Sequence, residues 1–252
     1  MNWFPSLGVA VWAWRGAIAL SRRPAIWLPL LGVTALQGAL LLLLTSPHRG
    51  GLSVLALPLV RLLGGEAATH YPILYYALPT MFFRANLVLS ALAGSIAGGA
   101  ATLLFARAFG YDAGRSPYRR AWRSAPALIV TTALTLGLLL GLAALATLVP
   151  GEWTLRSGAV RWGVRGAMMV LLIVVQSLFV YATAWIVLKG HGIWPAVRDS
   201  VRVTARTLLP TLIAVGVSAL LHFPFSFASG RVDLIAGKLK PEVIAGLLAV
   251  QI

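Results

Sequence analysis

Five stretches of this sequence run without a single Asp, Glu, Lys or Arg: Ala25–Thr45, Ala85–Ala106, Ala125–Val149, Gly166–Leu188 and Leu208–Ser229. Each is about the length an α-helix needs to cross roughly 30 Å of hydrocarbon. That pattern predicts an all-α, polytopic helical transmembrane bundle of five full spans. A sixth apolar run, Val243–Ile252, follows Pro241; at ~1.5 Å per residue it covers about half the membrane thickness. It is expected to be a partial sixth span, or one that continues in a longer native chain.

Composition agrees, because 59% of the 252 residues are hydrophobic and only 11% are charged, the balance of a chain whose solvent is largely lipid. A single integral membrane domain over 1–252 is expected. The absence of cysteine excludes disulfides, thiolate metal sites and cysteine nucleophiles. Arg15, Arg22 and Arg23 follow the first apolar stretch rather than precede it, and no A-x-A site stands before them, so a retained N-terminus is expected. Eighteen Arg against three Lys, with abundant Ala and Gly, resembles proteins encoded by GC-rich bacterial genomes.

Counting Lys and Arg in alternate loops places twelve on one side of the bilayer and nine on the other. The richer side holds the N-terminus and the segments 107–124 and 189–207. By the positive-inside rule it is cytoplasmic, which predicts a multi-pass inner-membrane protein with its N-terminus in the cytoplasm. Within 52–83, Leu52–Leu63 is apolar but too short to span, carries Arg61 and contains Pro58, and the segment reads as re-entrant or interfacial. Their last part, from Tyr71 through Tyr75 and Tyr76 to Phe83, is dense in the aromatic rings that prefer headgroup level, as an outer-leaflet cap or a loop resting on the bilayer.

On the expected cytoplasmic side a pattern recurs three times: a short basic, Trp-containing amphipathic segment feeding an apolar run. The copies lie at about 5–20, 115–124 and 194–207. Arg115, Arg119 and Arg123 recur every four residues, as do Arg198, Arg202 and Arg206, which aligns each set on one helix face; Arg15 and Arg23 share that frame. Trp12, Trp14, Trp122 and Trp194 lie beside these stripes. Interfacial amphipathic elbow helices are therefore expected. The stripes suit anionic lipid headgroups, at about 1 kcal/mol per basic residue near the surface, or a protein partner in the membrane. Nucleic acid is not expected as a partner, because the net charge of +15 is divided between two faces of a bilayer.

Within the spans, Gly94 with Gly98 and Gly137 with Gly141 are G-x-x-x-G pairs whose small side chains let helices approach closely, inside this chain or between chains. His222 is the one histidine inside a run, a candidate proton relay or haem or chlorin ligand, against the plainer reading of a neutral imidazole facing another helix. No second axial histidine is available in the other spans, and no cofactor or metal is expected. Gln37, Gln176, Ser177, Tyr181 and Thr183 are explained by hydrogen bonds between helices. All six acids lie outside the runs, and no H-E-x-x-H, G-x-S-x-G, Walker loop or Asp cluster occurs. Nothing argues for an enzyme.

The elbow ending in Ala121-Trp122-Arg123-Ser124, with another reading Ala196-Val197-Arg198-Asp199-Ser200 after Lys189-Gly190, resembles uncharacterised six-helix bacterial membrane protein families. These are similar to the membrane domain attached to some glycerophosphodiester phosphodiesterases. The resemblance covers about residues 10–252 and implies six spans. It implies no activity, since the soluble phosphodiesterase domain is missing. Chemistry and topology together point to an accessory or scaffolding subunit of a larger inner-membrane complex. The alternative is a transport component, a permease half or lipid-handling module, and a haem- or pigment-binding subunit through His222 ranks below both.

Overall fold

The computed structural model describes residues 11, 14–16, 18, 22–112, 114, 116–146, 158–229, 238 and 240–252, with the backbone alone at 146, 158–162, 165 and 221–229. Among these residues every regular element is helical: α1 (Pro24–Leu44), α2 (Ser53–Gly64), α3 (Ile73–Leu89), α4 (Ser95–Ala108), α5 (Pro117–Arg123), α6 (Ala125–Ala146), α7 (Gly158–Phe179), α8 (Ala182–Lys189), α9 (Ile193–Arg206), α10 (Leu208–Ser229) and α11 (Val243–Gln251). Four stretches are long and apolar enough to cross a membrane: Pro24–Leu44, Ile73–Ala108, Ala125–Leu145 and Gly166–Lys189. Ile193–Arg206 and Leu208–Leu220, which meet at a bend of 103°, add a fifth when the pair is counted as one broken span. This is the all-α bundle of a polytopic, membrane-embedded protein. The expected partial span at 243–252 is the nine-residue α11.

The second span differs from its expected start at Ala85. Its helix begins at Ile73, and α3 passes through a π-turn at Ser90–Gly94 into α4, giving 36 residues in all. Arg84, which bounds the uncharged run, does not end the helix. Its Nη1 donates to the Leu63 carbonyl at 2.8 Å, one of the α2 C-terminal carbonyls that has no partner within its own helix.

The chain packs as two compact units. The first comprises Met1–Pro29 and Ser95–Ala219. Its core joins Ala100 and Leu103 of α4, Ala121 of α5, Leu128 of α6, Ile186 and Val187 of α8 and Ala196 of α9. Ala100, Ala121 and Ala196 supply three of these contacts, and small side chains are what permit close packing where lipid removes the hydrophobic drive between helices.

The second unit comprises Leu30–Gly94 and Leu220–Ile252. Its core draws Leu41 and Leu44 from α1, Val60 from α2, Leu74, Leu78, Met81 and Phe82 from α3, and Ile244 and Leu248 from α11. Gly64 makes the tightest approach, since a Cβ there would stand 2.6 Å from Met81 Sδ and 2.7 Å from Ala68 Cβ. Gln37 Nε2 donates to Asn86 Oδ1 at 2.8 Å, tying α1 to α3 by the kind of interhelical bond the sequence suggested.

Tyr71, just before α3, meets Glu242 at the start of α11. Desolvation, then the Glu242 carboxylate that accepts its hydrogen bond, push the phenol above its ordinary value of 10.0, with Tyr75 and Tyr76 adding to the shift. The side chain is largely exposed, so the carboxylate is the cause that mutation can test. The folded state favours the neutral phenol, so the stabilisation is fully present below the unfolded-state value and is lost as pH rises through the folded-state one. E242Q is expected to return the Tyr71 titration toward the ordinary phenol range, read as a wild-type-minus-variant difference in alkaline tyrosine absorbance.

Candidate functional site

The site is built on α5 and α9, the two basic helices of the first unit. Ser116 caps α5, its hydroxyl accepting from Arg119 N at 3.4 Å, and Pro117 occupies the first turn, where its missing N–H costs nothing. Pro117 and Ala121, four apart, are buried, and the Arg120 guanidinium donates to the Leu188 carbonyl in the last turn of α8 at 2.9 Å. Arg119, Arg123, Tyr118 and Trp122 are exposed. Through Ser124 the chain then enters α6.

Helix α9 is anchored by Ala196, Ser200 and Thr204, buried and four residues apart. Ser200 Oγ donates to the Leu178 carbonyl at 2.6 Å and accepts from Tyr181 N at 3.2 Å, while Thr204 Oγ1 donates to the Ser177 carbonyl at 2.8 Å. These groups flank the break between α7 and α8, so α9 supplies the hydrogen bonds that the interrupted helix lacks. Tyr181 Oη also meets Thr211 Oγ1 of α10 at 2.9 Å. The outward residues of α9 are Trp194, Arg198, Arg202 and Arg206, all exposed.

Between α8 and α9 the chain turns at Gly190, whose φ of 70° is the left-handed conformation that favours glycine at a helix end. His191 follows, its ring stacked on Trp185 with centroids 5.3 Å apart and planes 11° from parallel. Its Nδ1 lies 3.4 Å from Asp199 Oδ2, and Asp199 Oδ1 lies 3.6 Å from Arg202 Nη1. Asp199 is the one acid on either basic helix, and the Arg202 guanidinium lies beside its carboxylate. Electrostatically the pair of helices therefore presents guanidinium groups with little competing negative charge. Among the described residues no three His, Cys, Asp or Glu side chains gather to hold a metal.

The residues singled out from sequence fall into distinct environments. Arg119 and Arg123 lie on α5 and Arg198, Arg202 and Arg206 on α9, and both helices join one core. Arg15 and Arg23 are exposed, most of the first elbow lies outside the described residues, and so does Arg115. Gly94 closes the π-turn, with its nearest neighbour Ser90 Cβ at 3.6 Å, while Cβ atoms placed at Gly98, Gly137 and Gly141 would meet nothing within 4 Å. Gly99 makes the close approach in the first unit, at 2.7 Å from Leu128 Cδ1 and 3.2 Å from Val187 Cγ1. His222 belongs to α10, and its side chain is outside the described residues. Sequence reasoning missed Ser200 and Thr204, although Ala196, Ser200 and Thr204 recur every four residues opposite the arginines and so marked an inward small-residue face. No protein-family model matches this chain, and the searches of curated proteins and of solved structures likewise find no match.

Proposed function

We propose that the chain is a non-catalytic integral membrane protein that works by association, as an accessory or scaffolding subunit of a larger assembly in the bacterial inner membrane, with its N-terminus cytoplasmic. The observation that carries this reading is α6. Ala125, Leu128 and Thr131 are the only buried residues of the apolar stretch Ala125–Leu145, and Gly137 and Gly141 lie open on it among exposed Leu134, Leu138 and Leu140. A face that combines small and branched residues suits a second helix better than lipid alone, because close backbone approach gains dispersion contacts that lipid tails give less fully. The polar side chains expected inside the spans also serve the chain's own packing: Gln37, Ser177 and Tyr181 are all hydrogen-bonded within it. A transport component would need such groups free for a substrate, which is why association is preferred.

The test places a photo-crosslinking side chain at Leu134, Leu138 or Leu145 in native membranes. A discrete protein adduct from Leu134 and Leu138 is the expected result. Adducts to lipid alone, together with a lone monomer in mild detergent, would overturn the reading.

A further inference from the structure

We propose that α5 and α9 act as one preassembled platform for anionic phospholipid headgroups in the leaflet they face. The inference does not depend on the scaffolding reading, since it concerns a different surface. Both helices are fixed from behind: Ala121 and Ala196 are fully buried in the same cluster with Ile186 and Val187 of α8. Arg120 is turned inward onto the Leu188 carbonyl, and Ser200 and Thr204 onto the α7–α8 break. What remains outward is Arg119 and Arg123 on α5 and Arg198 and Arg206 on α9. No hydrogen bond or ion pair engages these four guanidinium groups among the described residues. Arg202 is the exception on that face, its Nη1 lying 3.6 Å from Asp199 Oδ1.

The outward aromatics argue for lipid over an acidic protein segment. Trp122 and Trp194 are 69% and 76% exposed beside the arginines. An indole so exposed is costly in water, but at headgroup level its ring meets acyl chains and its N–H meets water or ester oxygens. Anchoring also matters, because a guanidinium on a helix already ordered by buried contacts loses less freedom on meeting a phosphate than one on a mobile loop. Arg, with its planar fork of donors, is the side chain suited to phosphate oxygens.

The test reconstitutes the full chain in nanodiscs of mixed phosphatidylcholine and phosphatidylglycerol and counts retained lipids by native mass spectrometry. Wild-type protein is expected to retain phosphatidylglycerol in excess of its share. The R119Q/R123Q/R198Q/R206Q variant is expected to lose that excess by about tenfold, since it removes the four unpaired guanidinium groups whose attraction to anionic headgroups salt only partly screens. R61Q, which removes an arginine of the second unit, leaves it unchanged. If the quadruple variant does not fold, R119Q/R123Q and R198Q/R206Q are read separately, each with a partial loss. Equal retention by wild type and folded variant overturns the proposal, as does wild type showing no preference for phosphatidylglycerol. Displacement of the lipid by excess inorganic phosphate, or capture of an acidic polypeptide in place of lipid, overturns it as well.

Discussion

The double variant S200A/T204V is expected to unfold about 6–12 °C below wild type when the detergent-solubilised protein is heated and followed by circular dichroism. Both substitutions keep shape and remove only hydrogen bonding. In an uninterrupted helix Tyr181 N–H would bond the Ser177 carbonyl four residues earlier. Here two α9 hydroxyls stand between them, Ser200 taking the N–H and Thr204 the carbonyl, with Leu178 O bonded to Ser200 as well. Ser200 and Thr204 are 0% and 1% exposed, so water does not substitute for them. Stranding buried polar groups costs about 1–3 kcal/mol each, so a loss of about 3 kcal/mol for the pair is consistent even with the modest values measured for single bonds in bilayers. The alternative response is that the α7–α8 break heals and releases α9. In that case the Tyr181 amide gains protection from hydrogen exchange while the amides of α9 lose it. T204S, which keeps the hydroxyl, is expected to lose less than T204V, since it leaves the Ser177 carbonyl with its partner. A double variant as stable as wild type with unchanged exchange would show that the hydroxyls do not hold α9.

Most of the spans were legible because lipid imposes a simple physical condition, about 20 residues without charge, and α1, α6, α7–α8 and α10 meet it. The elbows were legible in part. Arginine every fourth residue marked the outward faces of α5 and α9, and Ser116 with Pro117 marked where α5 begins. Three features were not. Arg84 looked like a boundary because charge inside an apolar helix is costly, but its partner, the Leu63 carbonyl, lies 21 residues away and is visible only once α2 is folded beside α3. The break at Val180–Tyr181 has neither Pro nor Gly to announce it, since its cause is tertiary: the hydroxyls of another helix enter the backbone ladder. The third is the choice among glycines, where spacing says that a close approach is possible but not which face of the helix it uses.

That choice gives the second large effect, a contrast between adjacent positions. G99L is expected to prevent the first unit from packing, with loss of cooperative unfolding, while G98L stays within about 0.5 kcal/mol of wild type. One residue turns a helix by about 100°, so Gly98 faces open space within the chain while a Cβ at Gly99 would stand 2.7 Å from Leu128 Cδ1 and 3.2 Å from Val187 Cγ1. The Leu128 methyl can rotate aside, but β-branched Val187 is stiff about its first torsion, so even G99A is expected to cost about 1 kcal/mol and leucine considerably more. Because Leu128 and Val187 share their cluster with Ala121 and Ala196, prising α4 from α6 and α8 also loosens the seats of both basic helices. G99A should therefore lower phosphatidylglycerol retention in the nanodisc experiment although it touches no arginine. G98L as damaging as G99L in the purified protein would show that Gly98, not only Gly99, packs against a neighbouring helix. If it is harmless there but abolishes the crosslinked partner in native membranes, Gly98 serves a contact between chains.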